Sequence, residues 1–319
     1  MTVQLVSDQK IAETSSKGNQ EKWQDGNIWY KLDQFGYEAL AEVFTSQLLE
    51  YSNLEAAFPF TFVRYRMERL RVHGRERTGC SSWNFLRDGE SIITLAHLFL
   101  QYTGKPLSET LNRLTSDKKR MAYLAEETAN ITGLSLFPQY LTLLFEIDGL
   151  ILNDDRHLNN IAVLAKDGAF DYCPIFDQGA GLLSNVMYSS FEIVPKSLIS
   201  QAKARPFQTT FNRQIHTMEN LYGKQLEIPS FSREQLAQMV EPLLEYYPAR
   251  DRELIANGSA KRFCCGRNAD ERGIAAKPIV FHTAMRIRNA PNIEPQEASH
   301  HDFSLLPQMH HLPKGPEMA

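Results

Sequence analysis

Apolar residues first recur at helical spacing between Tyr37 and Leu49, where Leu40, Val43, Phe44 and Leu48 fall on one stripe. That spacing predicts an amphipathic helix. Residues 1–35 before it are polar and rich in Gly, Ser and Lys, with a short strand-like piece at Asn27–Leu32. After it, Phe58–Leu70 is rich in Phe, Val and Tyr, which predicts extended chain. Polar loop, strand, helix and strand together predict a small α+β unit over residues 1–90. From about residue 91 the period turns helical. Leu107–Leu114 and Lys118–Ile131 read as helices, the second stopping at a C-cap near Gly133. Pro138–Leu152 is apolar nearly all round, the pattern of a helix buried in a domain interior. Ser232–Tyr247 opens with Ser232 and Gln235 in capping-box spacing, carries a kinking Pro242 and stops before Pro248. Past residue 258 Pro, Asn, His and Gly become frequent and the periodicity fades. The expectation is therefore a helical unit over 91–258 and a weakly ordered tail over 259–319.

The stretch that carries chemistry runs from Gly149 to Ser184. A buried helix ends in a polar burst, Asn153–Asn160, and two apolar strands come next, Ile161–Ala165 and Phe170–Phe176. Lys166–Asp167–Gly168–Ala169 joins them, and Asp-Gly is a strong hairpin signal. A hairpin returns the chain to its starting point, so Asp155, Asn160 and Asp177 are predicted to meet at one end of it. Phosphoryl transfer needs such a group: one carboxylate to orient a hydroxyl and take its proton, and a second carboxylate with an amide oxygen to hold Mg²⁺. Asp, then Asn five residues on, then Asp after a hairpin is the order found in protein kinases. Asp154 and Asn159 have the same spacing, and the Arg156–His157 register favours Asp155 with Asn160. Taken singly, Asp and Asn after a helix serve as caps and turns.

Composition narrows the partners. Of 319 residues, 43% are hydrophobic and 23% charged, enough apolar material for a sizeable core. The net charge of −4 offers no basic field for nucleic acid or an anionic membrane. No apolar run reaches the length of a membrane span, and Met1–Lys10 lacks the pattern of a secretory signal. The cysteines Cys80, Cys173, Cys264 and Cys265 form no disulfide framework, so a cytoplasmic location is expected. Cys264 and Cys265 with His300, His301, His310 and His311 match no zinc spacing. Cys173 reads as a small core residue, and Trp23, Trp29 and Trp83 as packing.

The run Asp155–Asn160 followed by Pro174–Leu183 resembles the core of HipA-like bacterial serine/threonine kinases, especially the smaller CtkA-like branch. Ala202–Ile215 also looks like a segment common in that branch. The resemblance implies a two-lobed, α+β protein-kinase-like fold with a small β-rich N-terminal lobe and a mainly helical C-terminal lobe. It implies Asp155 as catalytic aspartate, His157 as the histidine of the Asp-Arg-His motif, and Asn160 and Asp177 as metal ligands. ATP and Mg²⁺ are the expected cofactors, with a Ser or Thr hydroxyl of a protein as acceptor and an antitoxin-like protein as regulator. Asp177–Gln178–Gly179 departs from the commoner Asp-Phe-Gly.

A kinase-like small lobe also needs a strand lysine for the phosphates and a helix glutamate to hold it. Lys31 lies on the right kind of strand. The family's pattern of Glu followed three residues later by Ala fits Glu38 and Ala41, with Glu42 the alternative. The phosphate loop would be Ser15–Ser16–Lys17–Gly18–Asn19, a small-residue turn with one glycine and no GxGxxG. Cys80–Phe85 would contact adenine through its backbone. Two other readings start from the same residues. A phosphoinositide-type lipid kinase shares the Asp-Arg-His and later Asp, but Gln178–Ile193 has no Lys or Arg for an anionic headgroup. A nucleotide-binding pseudokinase would suit the missing glycines, but would have no use for Asp155.

Overall fold

The structure is a computed structural model, described here for residues 4–5, 20–187 and 195–264. Five strands form the first sheet: β1 (Gln4–Leu5), β2 (Lys22–Asp25), β3 (Ile28–Leu32), β4 (Tyr65–Val72) and β5 (Arg75–Trp83), in the spatial order β1-β4-β5-β3-β2. All neighbours are antiparallel except β1 beside β4. Between β3 and β4 the chain crosses one face of the sheet as α1 (Glu38–Leu49), followed by the single turn α2 (Leu54–Ala57).

The spacing of α1 predicts a half-exposed helix, yet eleven of its twelve residues are buried. One side lies on β4 and β5, and its core cluster also takes in Leu236, Val240, Tyr247 and Ile255 from the C-terminal helices. Polar groups on a helix wrapped this way need partners. Glu38 accepts from the backbone N–H groups of Phe35 and Gly36. Ser46 donates to the Val43 carbonyl and accepts from the Tyr65 N–H.

A second sheet, in the order β6-β7-β8, holds the expected hairpin: β7 (Ala162–Lys166) and β8 (Ala169–Tyr172) pair in antiparallel register from Val163–Tyr172 to Lys166–Ala169. Its two-residue turn has φ of 50° at Asp167 and 82° at Gly168, the positive values that a tight primed turn demands. The third strand, β6 (Ser91–Thr94), stands where helix was expected to begin. Four residues, two of them β-branched isoleucines at an edge, are too few to show a period.

The helical part comprises α3 (Leu95–Thr103), α4 (Leu107–Arg113), α5 (Asp117–Thr132), α6 (Phe137–Ile151), α7 (Pro195–Gln201), α8 (Phe211–Tyr222), α9 (Arg233–Leu244) and α10 (Ala249–Cys264). Its stop and start signals match the sequence. Gly133 caps α5 in the left-handed conformation, and Ser232 and Gln235 form both bonds of a capping box on α9. Helix α6 lies in the centre of the largest apolar cluster, with Phe137, Leu141, Leu143 and Phe145 fully enclosed. Gly149 lets α8 approach it, because a Cβ there would clash with Ile215 Cδ1. Helix α10 runs to Cys264, across the boundary expected at 258; the remainder of the tail lies outside the described residues. Trp23 is buried against Tyr30, and Cys173 is buried, whereas Trp83 is 59% exposed where β5 runs out into the connecting segment. Among the described residues no helix is long and apolar enough to cross a membrane.

Candidate active site

Helix α6 ends at Leu152, which turns left-handed at φ 57° and releases the polar burst. One side chain organises the loop beyond it. Arg156 is 1% exposed and binds Asp148 of α6 through two bonds of 2.9 Å. Its Nη1 donates to the carbonyls of Asn160, at 3.0 Å, and Phe176, at 2.8 Å. Nη2 also reaches Gln178 Oε1 at 2.9 Å. One guanidinium thus joins the loop before the hairpin to the loop after it. Burying two charges is costly unless every donor is used, and Arg156 has partners on all three nitrogens. Burial pushes the Asp148 carboxyl up while Arg156 pulls it down. Asn153 completes the turn, donating to Asp148 Oδ1 at 2.8 Å and accepting from the Asp155 N–H at 3.3 Å.

Within the loop, Asn160 donates its Nδ2 to the Asp155 carbonyl at 3.1 Å, which turns its amide oxygen away from the backbone. Asn159 instead meets Thr94 at the edge of β6. The register with Asp155 and Asn160 is thus the one in which the amide folds back on the aspartate. The Asp155 side chain is half-exposed, and Arg205 Nη1 donates to its Oδ1 at 3.1 Å. His157 Nε2 is 3.9 Å from Asp155 Oδ2, beyond hydrogen-bonding range, and its Nδ1 accepts from the Asn159 N–H. Asp154 is more enclosed; burial, then the nearby Asp155, push its carboxyl up to about 6 against Arg205.

Asp177 is held in a left-handed conformation, φ 64°, which costs a non-glycine residue free energy and is found at functional loops. Its N–H reaches the Tyr65 hydroxyl at 3.4 Å, and its Oδ1 meets Lys31 Nζ at 2.9 Å. Lys31 also binds Glu42 Oε1 at 2.6 Å and lies 5.2 Å from the Tyr65 ring centre. Burial works against the lysine's charge, but the two carboxylates outweigh it and its pKa lies well above the usual range. Burial likewise acts to raise Asp177, and Lys31 overcomes it, leaving that carboxyl well below its ordinary value. Glu42 is pushed up by burial and held down in part by Lys31.

The lysine's helix partner is therefore Glu42, not Glu38. The two lie one turn apart, but Glu38 is committed to the N–H groups of Phe35 and Gly36 at the start of α1. Glu42 faces the sheet and spans Lys31 and the Gln178 N–H at 2.7 Å. Ser15, Ser16, Lys17, Gly18 and Asn19 lie outside the described residues. So do Cys265 and the four tail histidines; among the described residues no three His, Cys, Asp or Glu cluster as a metal site.

Three contributors were missed in the sequence. Asp148 with Arg156 was hidden because an acid in an otherwise apolar helix gives no sign of its partner. Arg205 is 50 residues from Asp155. Lys22 stands opposite Lys31 in the β2–β3 register, on the same face of the sheet. Burial lowers its pKa, with Asp177 pulling the other way and Lys31 adding to the fall. A register-paired second lysine is visible in the sequence only once the β2–β3 turn at Asp25–Ile28 is fixed.

A sheet bearing a lysine, a buried helix glutamate, an Asp/Asn loop and an aspartate after a hairpin define a protein-kinase-like fold. The chain is similar to the crystal structure of the Helicobacter pylori proinflammatory kinase CtkA, with a TM-score of 0.52 at 11% identity over 79% of this chain and 91% of that one. A looser likeness, TM-score 0.40 at 13% identity, is to HipA of Shewanella oneidensis MR-1, solved with HipB and its operator DNA. It covers 80% of this chain and 65% of that one. No protein-family profile and no curated protein matches the sequence.

Proposed function

We propose that this protein is an ATP- and Mg²⁺-dependent phosphotransferase acting on a serine or threonine hydroxyl of a protein. The observation that carries the reading is the junction of Lys31 with Glu42 and Asp177, locked through Arg156 to the Asp155–Asn160 loop. Strand β3, helix α1 and the loops before and after the hairpin are tied together by these bonds, and phosphoryl transfer rests on such positioning and on charge neutralisation.

The donor set suits Mg²⁺. The Asn160 amide oxygen and the Asp177 carboxylate are hard oxygen ligands, and Mg²⁺ in such sites takes its remaining ligands from phosphates and water. Held by these two residues, the ion would supply neutralisation of phosphate charge. Lys31 binds phosphate oxygens, and Glu42 fixes its direction. Lys22 has no ion pair among the described residues and stands beside Lys31, half-buried and within the field of Asp177, where a second cation can meet an anionic ligand. Asp155 orients the acceptor hydroxyl and takes its proton at Oδ2, the oxygen Arg205 leaves open. His157 lines the same edge without bonding Asp155.

The acceptor class rests on the resemblance of residues 149–184, as does self-modification at Ser15 or Ser16. An antitoxin-like regulator has the same basis and would be sought by affinity purification from the native host. The test is transfer of labelled γ-phosphate from ATP, with Mg²⁺, to casein and to the protein itself. Asp155→Asn is expected to lose about 10²–10⁴-fold in rate. Equal rates for this variant and the wild type would remove the catalytic reading. Mass spectrometry after incubation with ATP locates any self-phosphorylation, and unmodified Ser15 and Ser16 would rule out that detail alone.

A further inference from the structure

We infer that Arg205 is a positioning residue for Asp155, setting the rotamer of the carboxylate that receives the acceptor hydroxyl. The inference rests on the phosphotransfer reading and deepens it. Arg205 Nη1 donates to Asp155 Oδ1 at 3.1 Å across a separation of 50 residues. Oδ2 makes no hydrogen bond within the described residues, so one oxygen is held and the other is presented.

The segment bearing Arg205 is anchored for this task. Ala204 and Thr209 exchange both backbone hydrogen bonds, at 2.8 and 3.3 Å, closing a short loop around Arg205. The Arg205 carbonyl accepts from Gln214 Nε2 of α8 at 3.1 Å, and Gln214 is 1% exposed. Phe207 inserts edge-on against Phe145 of α6, their ring centres 6.0 Å apart. Ala204 and Phe211 share an apolar cluster with Leu152 and Leu183. Leu152 is the residue at which α6 opens into the catalytic loop, so one packed cluster fixes the backbone behind both partners of the ion pair.

Stability does not account for the pair. The Arg205 side chain is 43% exposed and that of Asp155 49%, and exposed ion pairs add little to folding. A pair with little weight in folding, built on an anchored loop and aimed at the proton acceptor, has its effect on turnover. A carboxylate free to rotate about its last two bonds would spend much of its time off line, and small misplacements of a reacting group are costly.

The experiment compares wild type, Arg205→Ala, Arg205→Lys and Asp155→Asn as full-length proteins with Mg²⁺, ATP and casein. It reads kcat, KM for ATP and thermal melting. Arg205→Ala is expected to keep its melting temperature and its KM for ATP while kcat falls about 10–100-fold. Arg205→Lys falls less, because it keeps the charge without the planar fork. Added methylguanidinium restores part of the Arg205→Ala rate and does nothing for wild type. In the Asp155→Asn background, Arg205→Ala produces no further loss. Wild-type kcat in Arg205→Ala overturns the inference, and so does a loss that methylguanidinium leaves untouched or that repeats in full beside Asp155→Asn. A wild-type chain that moves no phosphate to casein or to itself overturns the phosphotransfer reading and this inference together. An active wild type with an indifferent Arg205 overturns the inference alone.

Discussion

Replacing Glu42 by Gln, with Glu38→Gln as its control, separates the two glutamates that the sequence could not. Glu42 is fully buried and serves two donors, Lys31 Nζ at 2.6 Å and the Gln178 N–H at 2.7 Å. A glutamine has one accepting oxygen, so one donor must face an NH₂ group. If the oxygen stays with Gln178, Lys31 keeps only Asp177 and is drawn towards it. A hydrogen bond involving a charged group contributes about 1.5–3 kcal/mol. The retained Lys31–Asp177 pair argues for the lower half of that range. Converted at about 1.4 kcal/mol per tenfold, kcat/KM for ATP should fall roughly 10- to 40-fold. Glu38→Gln loses a carboxylate whose two bonds, at 2.8 and 3.1 Å, go to backbone N–H groups at the head of α1. It should cost about 1 kcal/mol of stability and leave kcat/KM close to wild type. Steady-state transfer to casein over a range of ATP concentrations, with urea melts of the same preparations, reads both effects. Equal kinetic losses at the two positions, or none at Glu42, would refute the assignment of Glu42 to Lys31.

The same geometry sets further outcomes. Asp148→Asn leaves Arg156 buried with half its partner, and should cost about 3–5 kcal/mol in chemical denaturation; a change below about 1 kcal/mol would mean the pair is dispensable. Lys22→Met should weaken Mg-ATP binding in calorimetry while leaving melting close to wild type, because the repulsion of Lys31 that it removes is offset by the lost attraction to Asp177. Unchanged affinity would place Lys22 outside the phosphate site. Glu146, buried on α6 where it accepts from the Gln225 and Leu226 N–H groups, is pushed up to about 7 by burial. A carboxyl whose folded value lies above its unfolded one makes the native state bind more protons. Its contribution to stability is therefore greatest below about pH 4.5 and declines as pH rises to about 7, by at most roughly 3 kcal/mol. Urea midpoints at about pH 5 and about pH 8 should show that decline in wild type and a flatter profile in Glu146→Gln; an identical profile would exclude Glu146 as its source.

Much of the fold could be read from the chain because its signals are local. The Asp167–Gly168 turn fixed the hairpin register, and with it the meeting of Asp177 and the Asp155–Asn160 loop. Gly133, Ser232 and Gln235 marked helix ends through bonds spanning a few residues. Choices that depend on distant partners were not readable. Glu38 and Glu42 share a helix face, and only the positions of Lys31 and Gln178 decide between them. The burial of α1 on both sides depends on the far C-terminal helices α9 and α10, so its own pattern understated it. Asp148 and Arg205 were silent for the same reason. Strand β6 was missed because its two isoleucines are explained equally well by the adjoining helix α3.

Arg156 ties the two ends of the hairpin together at its root, and the strands beyond are held by β6 and the core, so the exposed turn at the far end carries none of these contacts. Asp167 and Gly168 lie at the end remote from that clamp, and a peptide tag or sensing loop spliced between them would lengthen the ribbon without moving either end. The molecule can therefore be labelled, tethered or diversified at that tip, inside the most chemically constrained stretch of its sequence.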